Sequence, residues 1–355
     1  MRKPKIVYYT TPYGYGHLVR ANIISNALGD KAEVHLIAAV ENIFNLAKNI
    51  KYHRIDEIPG MPRLDYEIYY EDKFGKTTDI SSGKYIESYR KHFQKFINLV
   101  CKISPDLVIV DVTPEFAIYS ELLGYKTVQM LITGKRDDLR NKISYSSADH
   151  IILPYPEGFT DVSYWSEDVR KKMFCSGAFS RFDGKEIIEK EKAKAKLNIS
   201  KDKKLIVCTF GRGDLGDVVI DKIKEISKSD KFTHCEFKIL ENVKNVEDYL
   251  AGADCAIIGA GDNTVMENCY YQIPMIMIPL KRRYDEQVSK AEALEKMGAG
   301  TMILEHDINS RLEKELLRLI EDCEYINKAK IAQKEFVDGH GADRLADQVL
   351  KWIKN

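Results

Sequence analysis

Four short stretches carry residue types that could do chemistry, and each stands where an apolar run gives way to polar residues. The first is Thr10-Thr11-Pro12-Tyr13-Gly14-Tyr15-Gly16-His17. Gly14 and Gly16 let backbone approach a ligand, and the helical pattern that follows would aim unpaired N–H groups and partial positive charge at it. A histidine at that tip can take a proton near neutral pH, as a general base must. The loop is not the dinucleotide fingerprint GxGxxG, because Val19, followed by Arg20, stands where a third glycine would be needed. A tight turn with a capping histidine is the plainer alternative.

The second stretch is Gly259-Ala260-Gly261-Asp262-Asn263-Thr264-Val265-Met266-Glu267, after the apolar run Cys255–Ile258. Asp262, Asn263 and Thr264 suit an N-cap, a helix start suits a phosphate, and Glu267 falls early in the helix, within reach of ligand hydroxyls. A capped helix with an acid at its positive end accounts for the same residues. In the third stretch, Ile278-Pro279 leads to Lys281-Arg282-Arg283 and then Asp285-Glu286-Gln287, side chains that can hydrogen-bond a polyhydroxylated ligand. The fourth is Phe210-Gly211-Arg212-Gly213, where backbone could approach a phosphate or simply form a loop.

Elements must hold these stretches in place, and the pattern supplies them. Short apolar runs alternate with amphipathic segments along the whole chain, which indicates βαβ units around parallel sheets. Strands are expected near Ile6–Thr10, Val34–Val40, His53–Ile55, Leu107–Asp111, Thr127–Ile132 and Ile151–Pro154 in the first half. Helices are expected at about 17–29, 41–49, 84–103, 114–123 and 136–146. The rhythm repeats from Leu205 to 321, so two doubly wound domains are the economical reading. We place them at 1–160 and 161–335, with a linker near 155–175 and a closing segment at 336–355 expected to pack back on the first domain. Each chemical stretch ends a strand, where an open α/β sheet puts its ligand crevice, so all four can face one cleft.

The composition excludes several classes. With 54 Lys+Arg against 54 Asp+Glu in 355 residues, there is no basic surplus for a nucleic-acid binder. A 44% apolar share and ten prolines are ordinary for buried cores. No apolar run is long enough to span a bilayer, and the start of the chain lacks a signal-peptide pattern. The seven cysteines make no CxxC pair and read as reduced thiols of a cytoplasmic protein.

Taken together, Gly259 to Glu267, Gln272-Ile273-Pro274, Ile278-Pro279, Asp285-Glu286-Gln287 and Gly298 resemble, in order and spacing, the donor site of the GT-B nucleotide-sugar glycosyltransferases. The likeness is to the group containing MurG and the UDP-glycosyltransferases, and Gly14-Tyr15-Gly16-His17 is similar to that group's glycine-rich loop, which implies that Gly14 and Gly16 bind the donor. The resemblance implies a GT-B fold, two Rossmann-like domains facing a cleft. It further implies that Glu267 holds ribose hydroxyls, Gly261 to Thr264 approach the diphosphate, and Glu286 and Gln287 contact the donor sugar. Ser176-Gly177-Ala178-Phe179-Ser180-Arg181 resembles the segment whose arginine neutralises the donor phosphate, which gives Arg181 that role. Gly211 and Arg212 stand where the family has another donor-facing loop. His17 becomes the catalytic base, or a positioning group near the acceptor, with Asp111 as its orienting carboxylate and Glu115 as the weaker candidate. Lys290 departs from the asparagine common in relatives, and Asp262 and Asn263 replace smaller or apolar residues.

The implied reaction moves a sugar from a UDP-sugar to an acceptor hydroxyl. No Asp-x-Asp triplet occurs, so neither a metal clamp nor a cofactor beyond the nucleotide-sugar co-substrate is expected. Met275, eight positions after Glu267, stands where retaining relatives often carry a second glutamate, which points to inversion. The alternatives are a nucleotide-sugar hydrolase or epimerase of the same fold, or a non-catalytic binding partner. The acceptor (glycan, lipid or small molecule) is expected on the first domain, near the Tyr-rich residues 59–96 with Tyr66, Tyr69, Tyr70, Tyr85 and Tyr89. Packing against the core is the other reading of Tyr85 and Tyr89. Lys84, Arg90, Lys91 and Lys95 suit weak peripheral contact with a membrane or a solvated helix face.

Overall fold

The computed structural model describes residues 2–10, 15–55, 83–210, 217–240, 243 and 245–354. It divides into two compact units, Met1–Gly177 together with Gly341–Asn355, and Ala178–His340. The described strands of the first are β1 (Lys5–Tyr9), β2 (Glu33–Ala38), β3 (Ile50–Arg54), β4 (Leu107–Val110), β5 (Thr127–Met130), β6 (His150–Leu153) and β7 (Met173–Cys175). Its helices are α1 (Tyr15–Leu28), α2 (Gly83–Ile103), α3 (Pro114–Leu122), α4 (Leu139–Ser147) and the short α5 (Glu167–Arg170). The second unit holds β8 (Lys204–Thr209), β9 (Cys235–Leu240), β10 (Cys255–Ile258), β11 (Met275–Met277) and β12 (Thr301–Met302). Its helices are α6 (Lys190–Lys196), α7 (Asp217–Ser227), α8 (Val246–Gly252), α9 (Asp262–Tyr270), α10 (Glu286–Lys296), α11 (Ile308–Glu321) and α12 (Cys323–Phe336). The last helix, α13 (Gly341–Lys354), returns to the first unit.

Both sheets are parallel throughout, in the order β3-β2-β1-β4-β5-β6-β7 and β12-β11-β10-β8-β9. Helices must then cover both faces, and the central strands are apolar on both: all four residues of β4, and of β10, are completely buried. Strand order reverses between β1 and β4 in the first unit and between β10 and β8 in the second. At such a switch point the loops leaving neighbouring strands diverge and leave room for a ligand.

Two expectations give way to local chemistry. Residues 41–49 form no helix, because the Asn42 side chain accepts from Phe44 N and donates to Phe44 O, both at 3.0 Å, offering the backbone an alternative to the helical ladder. The first unit also runs beyond residue 160. Met173–Cys175 pairs with Ile151–Leu153 as a seventh strand, so the boundary falls after Gly177. A three-residue, half-buried strand carries no periodicity to betray it. Residues 336–340 stay with the second unit, and α13 packs on α1, with Trp352 stacked on His150 at 4.5 Å and Arg344 Nε donating to Ser176 O at 2.7 Å.

Of the Tyr-rich stretch, residues 59–82 lie outside the described residues, as does the Tyr85 side chain. Tyr89 belongs to an aromatic cluster beneath α2, in which Tyr9 and Phe116 stack at 4.1 Å and Phe96 meets Phe116 edge-on at 4.9 Å. Aromatic pairs of this kind stabilise by about 0.5–1.5 kcal/mol beyond their buried area, and they fix α2 on the sheet.

Candidate functional site

Each unit builds its own cluster at its switch point. In the first, β1 and β4 are neighbours, with Tyr9 opposite Val110. The chain leaving β1 enters α1, which carries His17 and, one turn later, Arg20; the chain leaving β4 begins with Asp111. Strand pairing thus brings together residues 94 apart in sequence. Asp111 is wholly buried and Arg20 is 3% exposed. Arg20 grips the carboxylate side-on, with Nε donating to Oδ2 at 3.1 Å and Nη2 to Oδ1 at 2.8 Å. His17 Nδ1 lies 3.2 Å from Asp111 Oδ1 and 2.9 Å from Arg20 Nη2. Tyr8 donates its hydroxyl to Asp111 Oδ2 at 3.4 Å.

Burial by itself would push the Asp111 carboxyl up; Arg20 and His17 outweigh it and hold the group at about 2. Tyr8 moves the other way, pushed well above the usual phenol by burial and by the charge of Asp111. The residue after Asp111 is Val112 at φ 60°, in the left-handed region that a β-branched side chain rarely enters. Such backbone strain costs about 1–3 kcal/mol and concentrates at functional sites. Glu115 is not a partner of His17: it accepts from the Tyr89 hydroxyl at 2.5 Å and pairs with Arg140 at 3.5 Å.

In the second unit β10 ends in Gly259-Ala260-Gly261, and α9 starts at Asp262. Neither glycine has positive φ, and among the described residues a Cβ added at either would meet nothing within 4 Å. Backbone conformation and packing therefore do not require glycine here; what the missing side chains leave is open space over a helix N-terminus. Glu267, 9% exposed, receives Arg181 side-on: Nε reaches Oε1 at 2.9 Å and Nη2 donates to Oε2 at 3.1 Å. Burial raises the Glu267 carboxyl and Arg181 only partly opposes it. The Arg181 side chain remains 38% exposed, so the guanidinium keeps N–H donors for another anion.

The remaining residues frame this turn. Lys290, 2% exposed, forms an ion pair with Asp262 and donates to Ala260 O at 3.2 Å. A lysine in place of a neutral amide is thereby matched by an acid in the turn, and the two departures from the family pattern compensate each other. Gln287 is buried and accepts from Leu280 N at 3.0 Å, which closes the loop between β11 and α10. Tyr284 and Asp285 both have positive φ, 64° and 50°, just before Glu286 opens α10. Asn263 and Thr264 occupy the first turn of α9. Gly16 stands in the first turn of α1. Gly14, Gly211 and Arg212 lie outside the described residues. Arg20 and Lys290 are the residues whose bonding sequence reasoning missed. A cation within an otherwise apolar run, Leu18-Val19-Arg20-Ala21, was the available signal for Arg20.

Residues 185–347 match the glycosyltransferase family 28 C-terminal domain. The fold is that of the GT-B glycosyltransferases. MurG from Acinetobacter baumannii superposes with a TM-score of 0.63, covering 98% of this chain and 99% of that one at 15% identity. The calicheamicin glycosyltransferase CalG4 gives 0.66, with 100% and 99% covered at 12% identity. At those identities the likeness concerns the fold alone. In sequence, the chain is 28% identical over 240 residues to the UDP-N-acetylglucosamine--N-acetylmuramyl-(pentapeptide) pyrophosphoryl-undecaprenol N-acetylglucosamine transferase of Clostridium perfringens (strain SM101 / Type A), 60% of this chain and 63% of that protein. Matches to such transferases span between 38% and 63% of the relatives' own length. The chain resembles the MurG and UDP-glycosyltransferase group of GT-B proteins.

Proposed function

We propose that the protein transfers a sugar from a UDP-sugar to an acceptor hydroxyl, with inversion and without a metal ion. The observation that carries this reading is the turn after β10. Gly259 and Gly261 leave unfilled space at the start of α9, inside the segment that matches the family 28 domain. Backbone N–H groups at that helix start are suited to a diphosphate, and Arg181 adds a cation for the charge that develops on the departing UDP. Glu267, oriented by Arg181, offers its carboxylate to the ribose hydroxyls, and Glu286 and Gln287 belong to the donor sugar.

In the proposed step the acceptor oxygen bonds to the anomeric carbon as the bond to the diphosphate breaks. The hydroxyl proton passes to His17, whose ring is oriented by Asp111. The acceptor is a lipid or glycan hydroxyl: the Clostridium relative acts, by its name, on a pyrophosphoryl-undecaprenol compound. Among the described residues, no helix is long and apolar enough to cross a membrane. Peripheral contact is supported instead by Tyr119, Leu122, Leu123, Leu139 and Ile143, exposed apolar side chains on and beside α3 and α4, which pack together.

The test is nucleotide release from UDP-sugars, measured with and without lipid-linked and free glycan acceptors. Release that depends on acceptor, with product of opposite anomeric configuration, is the expected result. Release indifferent to acceptor would replace transfer by hydrolysis, and binding without release would leave a sugar-nucleotide-binding protein.

A further inference from the structure

Arg20 has so far been only the counter-ion of Asp111, yet its geometry reaches further. Its Nη2 donates to Asp111 Oδ1 at 2.8 Å and stands 2.9 Å from His17 Nδ1. The same Asp111 oxygen lies 3.2 Å from that Nδ1. A guanidinium has donors and no acceptor, whereas an ionised carboxylate only accepts. One ring nitrogen therefore faces a group that can only donate and a group that can only accept, and its single in-plane bonding position can satisfy one of them. The shorter approach is to Arg20. A proton on Nδ1 would set two N–H groups against each other at a hydrogen-bonding distance.

We infer that Arg20 is a positioning residue that holds His17 with Nδ1 as acceptor and the proton on Nε2. In this arrangement His17 presents an N–H to its ligand and donates a hydrogen bond. It can remove a proton only as the other tautomer, with Nδ1–H given to Asp111 Oδ1 and Nε2 bare. The change exchanges one proton at Nε2 for one at Nδ1, with no net gain or loss, and water can mediate it because the ring side chain is 25% exposed. Among the described residues, the charged and titratable groups around the ring nitrogen come from three elements: Arg20 on α1, Asp111 after β4, and Tyr8 on β1 acting through Asp111. Arg20 thus sets the balance between a binding and a proton-accepting histidine. The consequence for catalysis rests on the transfer reaction proposed above, whereas the tautomer belongs to the protein without substrate.

The full chain with 15N-labelled histidine, held at about pH 8 where imidazoles are neutral, gives the answer in a two-bond proton–nitrogen correlation. His17→Gln identifies the resonance. The expected pattern is a pyrrole-type Nε2 and a pyridine-type Nδ1; the reverse pattern overturns the inference. Arg20→Lys keeps a cation beside Asp111 but removes the rigid fork, so the population should move towards Nδ1–H. An unchanged spectrum in the folded variant removes Arg20 from the role, and the native spectrum alone decides the matter if the variant does not fold. In turnover, Arg20→Lys is expected to change kcat while the donor KM stays within about twofold, since the Arg20 side chain is engaged with Asp111 and His17. Absence of any transfer would defeat the functional proposal and leave this spectrum as it is.

Discussion

Both units hold an arginine that grips a carboxylate side-on, yet the two pairs behave in opposite ways. Arg20 and Asp111 are 4% and 0% exposed as side chains, and Asp111 is also approached by His17 and Tyr8. Arg181 and Glu267 are 38% and 11% exposed, and Arg181 is the charge that opposes the burial of Glu267. Burial pushes both carboxyls up. Several partners overcome it for Asp111, and a single half-exposed arginine does not for Glu267. The lesson is that a buried pair is committed to structure, while a half-exposed one can exchange its partner for a ligand.

The comparison breaks most sharply on removal of one carboxylate. Asp111→Asn removes the carboxylate that the buried Arg20 grips at two atoms and should lower stability by about 3–5 kcal/mol, read from urea unfolding. Glu267→Gln should cost less than about 1 kcal/mol, since Arg181 can turn to water. Equal losses would erase the distinction. In activity, His17→Ala should lower kcat by about 10²–10⁴-fold with little change in melting temperature, and full turnover would remove the proposed base.

The pH dependence of stability should also have opposite signs in the two pairs. Asp111 is depressed to about 2, so its contribution is complete above the ordinary carboxylate range and is lost as pH falls through about 2. Between those limits the loss is about 2 kcal/mol, and melting temperatures from pH 5 to 2 should fall less steeply in Asp111→Asn. Glu267 is raised: its contribution is present below the ordinary glutamate range and is lost as pH rises through the folded value.

Smaller effects sharpen the donor side. Gly261→Ala meets nothing within 4 Å, so stability should hold within about 0.5 kcal/mol. If the space is for a diphosphate, the donor KM should rise by about tenfold, or about 1.4 kcal/mol; an unaltered KM would assign the gap to solvent. Smallest is Leu122→Ser, 74% exposed in the native chain, with stability unchanged within about 0.5 kcal/mol. Its readout is co-sedimentation with anionic liposomes, and undiminished binding would take α3 out of any membrane contact.

Much of the α/β order was legible because buried parallel strands are continuous apolar runs, as Leu107–Val110 and Cys255–Ile258 show. The turn after β10 could be read for the same reason: a strand end, small residues and polar first-turn residues lie side by side in sequence. The segment 41–49 misled because its apolar spacing suits a helix while Asn42 bonds its own backbone. Met173–Cys175 escaped because an edge strand of three half-buried residues has no period. Arg20 was visible only as a cation among apolar residues, and its partner lies 91 positions away.

The sequence by itself determined most of the central strands and their helices and where the phosphate-suited turns fall, since those depend on neighbours within a few residues. Only the tertiary structure decided who faces whom. Strand order placed β4 beside β1 and so joined Asp111 to His17 and Arg20; the approach of Lys290 on α10 to the turn after β10 matched it with Asp262. Ion pairs of this kind are set by through-space distance and burial, and neither quantity is written in the spacing of residues along a chain.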